Sequence, residues 1–187
     1  MQELANTIHE LITRLHIEKP ILVGQSFGGG IAATYATLFP EDTKYLILVD
    51  AATTKSERYR PFLARIGMIF GIPIYRSILR NQFIPLSFKR LLVHLLHRAP
   101  LEILSAEKIQ HYGNFVSKRL YDISVDYKKF RMPLMLVWGD RDKITPIQAA
   151  REIHEEVKNS KLVIVNGQHT ILYTQPEYVV SEIVKKL

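Results

Sequence analysis

The chain has 187 residues, 47% of them hydrophobic and 23% charged, with no cysteine. That balance excludes a disordered or collagen-like chain, the length supports a core without covalent staples, and the missing cysteines exclude a disulfide framework and a thiolate metal site. The net charge is +7, but residues 53–131 hold 15 Lys/Arg against 5 Asp/Glu and the remainder 10 against 13, so the excess lies in one central segment and on no nucleic-acid reader motif.

The N-terminus, Met1-Gln2-Glu3-Leu4-Ala5-Asn6, has neither the basic nor the apolar region of a secretory signal. No apolar run reaches the roughly 18 residues of a membrane span. Together with the absence of cysteine, this sets the expectation of a cytoplasmic protein. Leu4, Ile8, Leu11, Ile12 and Leu15 recur at helical spacing and predict an amphipathic helix over residues 2–16. Pro20 precedes a short apolar run, Ile21-Leu22-Val23, which ends at Gly24 and suits a strand covered on both faces. The Gly- and Ala-rich stretch Gly28 to Leu38 predicts a helix stopped before Pro40, and Tyr45 to Val49 a buried strand closed by Asp50-Ala51-Ala52.

From Thr53 to about Asp126 period-2 alternation is missing, and helix-like pieces are broken by Pro61, Pro73, Pro85 and Pro100. Past Pro133 the first pattern returns: a strand over Leu134–Trp138, a helix over Pro146–Val157, a strand over Leu162–Val165 and a helix from Pro176 to Leu187. Buried strands alternating with helices predict an α/β fold with a parallel sheet of about four strands. The core is expected in residues 1–52 and 132–187, with a helical cap inserted at 53–131.

The strongest local signal is Gly24-Gln25-Ser26-Phe27-Gly28, a G-x-S-x-G between a strand and a helix. A sharp turn there points Ser26 out of the strand end, and small residues two positions to either side let neighbouring backbone approach. The helix that follows aims its N-terminus at the serine, where an oxyanion would form, and the Phe27 N–H is the expected donor. A serine hydroxyl also needs a base and a group to orient that base. Asp140 and Asp142, in the loop after the Leu134–Trp138 strand, are both candidates, with Asp142 further into the loop and Asp140 placed to cap the turn. Asp50, at another strand end, is a third, read first as a local turn carboxylate. His169 is the histidine that follows the last strand, in Val165-Asn166-Gly167-Gln168-His169-Thr170. His9, His16 and His154 fall on or beside helices as surface residues, and His94, His97 and His111 fall in the central segment.

On these residues the sequence resembles the α/β-hydrolase superfamily. The matching stretches are ILVGQSFGGGIAATYATLFP with LILVDAA, LMLVWGDRDKITP, and VNGQHTILYTQPEYV. The resemblance covers nearly the whole chain outside the central segment, which matches the family's variable helical cap by position. It implies a Ser-His-Asp triad of Ser26, His169 and Asp142, the last being the second aspartate of a W-G-x-x-D pattern. It also implies further strands and an oxyanion loop upstream, whereas the elbow here already begins at Gly24. The core is therefore expected to be N-terminally incomplete, or completed by another segment or subunit. The Ile21–Val23 strand is then expected to be an exposed apolar edge that favours self-association. A missing oxyanion donor costs about 10² to 10³ in rate.

The functional expectation is an esterase- or lipase-like serine hydrolase, cleaving a carboxylic ester or related acyl substrate through an acyl-enzyme, with no metal or organic cofactor. Thioesters, amides, lactones and C–C bonds remain open. Ser26 at the elbow disfavours relatives that use an aspartate nucleophile. The rival expectation is a non-catalytic ligand-binding protein that keeps the fold. The apolar run Phe62 to Tyr75 and Leu91 to Leu96 are expected to shape a hydrophobic acyl pocket, and the basic face of the cap to meet an anionic membrane or carrier.

Overall fold

The structure, a computed structural model, describes residues 1–59, 72–97, 105, 107 and 125–186. The chain divides into two compact units, Met1–Pro61 with Ile123–Leu187, and Phe62–Asp122. The first unit begins with α1 (Gln2–Arg14), β1 (Ile21–Gln25), α2 (Ser26–Leu38), β2 (Tyr45–Val49) and α3 (Thr54–Tyr59). The second unit contains α4 (Ile72–Arg80) and α5 (Leu86–His97). The first unit then resumes with β3 (Leu134–Gly139), α6 (Ile147–Glu156), β4 (Ser160–Val165), α7 (Ile171–Thr174) and α8 (Pro176–Lys186).

The four strands form one sheet in the order β1-β2-β3-β4, every neighbouring pair parallel. Gln25 lies opposite Val49, Val49 opposite Val137, and Val137 opposite Val163. That register brings the carboxyl ends of all four strands to one rim, where α/β sheets bind their ligands. β2 and β3 are buried along their whole length. Side chains alternate between two faces. Leu46, Leu48, Leu134, Leu136 and Trp138 pack with Ala32, Ala33 and Ala36 of α2 and Ile153 of α6. Tyr45, Ile47, Val49, Met135 and Val137 pack with Val179 and Ile183 of α8. Each such aliphatic side chain contributes about 1.5–3 kcal/mol on full burial, and the central strands carry most of them.

β1 is not covered on both faces. Leu22 packs on the first cluster, but Ile21 and Val23, whose side chains project to the opposite face, are 44% and 55% exposed. An apolar run of three residues does not distinguish one covered face from two, and β1 is the edge of the sheet. His9 also departs from the surface position expected of it. It is half-buried, stacked on Phe39 with ring centroids 3.8 Å apart, and its Nδ1 lies 3.2 Å from the Tyr35 hydroxyl.

Two of the central prolines start helices. Pro73 sits in the first turn of α4, where its missing N–H costs nothing, and Pro85 immediately precedes α5. Leu79 and Val93 bury against Tyr75 and Leu86. Tyr127, Phe130 and Met132 belong to the core cluster of the first unit, and α3 of that unit pairs with α6, Lys55 bridging Glu152 and Glu156. The apolar residues 62–71, His111 and any pocket they form lie outside the described residues. No described helix is long and apolar enough to cross a membrane.

Candidate active site

β1 ends and α2 begins at Ser26, whose φ of 48° is left-handed. For a residue with a Cβ that conformation costs about 1–2 kcal/mol, and the surrounding backbone holds it there. The Ala52 N–H donates to the Ser26 carbonyl at 2.8 Å, tying the elbow to the end of β2. A Cβ on Gly24 would lie 2.5 Å from the Gly28 carbonyl oxygen. Gly28 itself has open space where its Cβ would be, and the tight position after the serine is Gly29, whose Cβ would lie 2.4 Å from that of Ala51. The need for a small residue therefore falls one position later than the motif suggests. Phe27 follows Ser26 in the first turn of α2 and is half-buried.

The turns after β3 and β4 carry Asp142 and His169. Asp142 is 5% exposed and densely bonded. Its Oδ1 accepts the N–H groups of Ile144 at 2.7 Å and Thr145 at 2.9 Å. Its Oδ2 lies 2.6 Å from the Thr145 hydroxyl and 2.8 Å from His169 Nδ1. Burial pushes the Asp142 carboxyl up, but His169 and Thr145 outweigh it and hold the group below the usual carboxylate range. On the other side of the ring, His169 Nε2 lies 2.8 Å from Ser26 Oγ. With Nδ1–H donated to Asp142, Nε2 is left to accept the serine proton. Ser26, His169 and Asp142 thus form one hydrogen-bonded chain across three strand ends.

Asp140, expected to cap its own turn, reaches the next one instead. Its Oδ1 accepts the Gly167 N–H at 2.9 Å, while the Arg141 N–H donates to the Gly167 carbonyl at 2.9 Å, so this pair locks the β3 turn to the histidine turn. Asp50 is more than a local turn carboxylate. It is fully buried with φ 43°, and its Oδ1 accepts the Gly139 N–H at 2.9 Å. The ligating atoms of Asp50, Asp142 and His169 lie within 4.8 Å of one another.

Three contributors carried no sequence signal. Thr145 braces Asp142 and also lies 3.0 Å from the Asp50 carbonyl. The Trp138 Nε1–H donates to the Thr145 carbonyl at 2.6 Å. Gln25 Nε2 donates to the His169 carbonyl at 3.3 Å, so the variable position before the serine grips the histidine turn.

The parallel sheet, the strained serine elbow and the convergence of the strand-end turns define an α/β-hydrolase. A family model described as "Serine aminopeptidase, S33" matches residues 1–175, and the chain belongs to that family. The hydrolase YugF of Bacillus subtilis (strain 168) is 26% identical, over 97% of this chain and 70% of that protein. The monoacylglycerol lipase ABHD6 of Mus musculus is 25% identical, over 90% of this chain, which spans only 55% of the lipase. Among solved structures, a probable hydrolytic enzyme from Pseudomonas aeruginosa PAO1 superposes with a TM-score of 0.70 at 18% identity, over 100% of this chain and 69% of that one.

Proposed function

We propose that the chain is a serine hydrolase acting on carboxylic esters with an apolar acyl group. The observation that carries this reading is the relay in which His169 bonds Ser26 Oγ at one ring nitrogen and Asp142 Oδ2 at the other, both at 2.8 Å.

In this reading Ser26 Oγ attacks the ester carbonyl carbon as its proton passes to His169 Nε2. Asp142 stabilises the imidazolium that results, and the Phe27 N–H at the start of α2 donates to the developing oxyanion. The C–O bond to the alcohol then breaks, and His169 returns the proton to the leaving oxygen. Water attacks the acyl-enzyme carbonyl, gives a proton to His169, and Ser26 leaves with it as the acid is released. The ester class is drawn from the monoacylglycerol lipase relative, and the apolar acyl preference from the apolar central segment. That segment's basic residues suit contact with an anionic membrane or carrier.

Hydrolysis of p-nitrophenyl acyl esters by the chain tests the proposal. The expected result is turnover that falls at least about 10³-fold in Ser26→Ala and in His169→Gln. Turnover unaffected by either substitution contradicts it.

A further inference from the structure

The acylation chemistry leaves one carboxyl at the site unused. Asp50 is fully buried at the carboxyl end of β2, held in the left-handed region at φ 43°. A side chain placed there at the cost of backbone strain and desolvation calls for a reason. Its Oδ1 accepts one N–H, from Gly139. Its Oδ2 is buried and meets no donor. The neighbouring carboxyl is that of Asp142, with side-chain atoms of Asp50, Asp142 and His169 within 4.8 Å of one another.

Two carboxylates are both acceptors, so they bond each other only if one carries a proton. The donor sets decide which one. Asp142 receives two backbone N–H groups, the Thr145 hydroxyl and the His169 ring. Asp50 receives a single N–H. The negative charge belongs on Asp142 and the proton on Asp50 Oδ2, which gives that atom the partner it otherwise lacks.

We propose that Asp50 is a positioning residue of the triad: a buried carboxylic acid that donates its proton to Asp142 at rest and so governs how strongly Asp142 pairs with His169. This inference rests on the serine-hydrolase reading for its catalytic consequence, but not for the proton itself. Burial is the main cause that pushes the Asp50 carboxyl up, with Asp142 adding to the rise, while the Gly139 N–H and His169 oppose it; the balance lies at about 7. Among the described residues, the titratable groups that act on it are Asp142, from the turn after β3, and His169, from the turn after β4. Loss of the Asp50 proton above neutrality removes that donor from Asp142 and leaves two negative charges side by side.

The test is an NMR titration of the whole chain, following carboxyl carbons, in the wild type and in Asp50→Asn. The expected result is an Asp50 carboxyl that titrates near neutral pH and an Asp142 carboxyl carbon that moves in step with it. In Asp50→Asn that step is lost from the Asp142 resonance. An Asp50 carboxyl already ionised at about pH 5, close to its ordinary range, overturns the proposal, as does an Asp142 resonance that keeps the same step in Asp50→Asn. Should Asp50→Asn fail to fold, the wild-type carboxyl titration still decides. Ester kinetics supply the second reading: Asp50→Asn changes the shape of the kcat–pH profile with KM within about twofold. Asp50→Ala, which returns no donor to Asp142, lowers kcat about tenfold or more. If no ester is turned over, the serine-hydrolase reading fails while the titration still rules on Asp50.

Discussion

His169 Nε2 lies 2.8 Å from Ser26 Oγ although 143 residues separate them in the chain. The sheet accounts for the meeting. Parallel strands in matched register end at one rim, so the turn after β4 and the elbow after β1 emerge on the same side. The links between neighbouring turns then set the fine distance: Asp140 to Gly167, and Gln25 to the His169 carbonyl.

The elbow stores strain that a glycine would release. Ser26 sits at φ 48°, where a residue with a Cβ is disfavoured by about 1–2 kcal/mol. Ser26→Gly is expected to unfold at higher temperature than Ser26→Ala, both lacking the hydroxyl. Thermal unfolding of the two variants at one pH checks this; equal midpoints contradict the strain.

The two glycines after the elbow are expected to respond in opposite directions. Gly29→Ala forces a Cβ to within 2.4 Å of the Ala51 Cβ and 2.9 Å of its Cα, and overpacking of that kind costs about 1–3 kcal/mol. Gly28→Ala meets nothing within 4 Å and gains up to about 1 kcal/mol of helix propensity. Urea unfolding of both variants reads the contrast directly.

The open edge of the sheet predicts self-association. Ile21 and Val23 are 44% and 55% exposed on the edge strand β1, beside backbone groups that another strand can pair. Val23→Lys places a charge on that edge and is expected to shift the chain toward monomer in sedimentation velocity. A wild-type chain that stays monomeric across the micromolar range contradicts it.

The sheet and the three converging residues were legible because each rests on a local pattern. Short apolar runs gave strands within a residue or two of those observed, and the order of elbow serine, strand-end aspartate and late histidine needs no tertiary knowledge. What the chain did not reveal depends on neighbours distant in sequence. The covering of β1 depends on which elements pack against its two faces, and Ile21-Leu22-Val23 reads the same either way. Asp50 reads as a turn carboxylate until the β3 turn is seen closing over it through the Gly139 amide. His9 reads as a surface residue until Phe39 is placed beneath its ring. The bracing by Thr145 is equally silent, since a threonine in a loop has many uses.

The account stands most directly on the reactivity of one hydroxyl. Treating the chain with a fluorophosphonate at neutral pH and locating the adduct by mass spectrometry reads it without a choice of substrate. The prediction is stoichiometric labelling of Ser26, absent in Ser26→Ala and slowed at least about 10²-fold in His169→Gln, where the general base is gone. A folded chain whose Ser26 stays unlabelled, or labels no more slowly without His169, contradicts it.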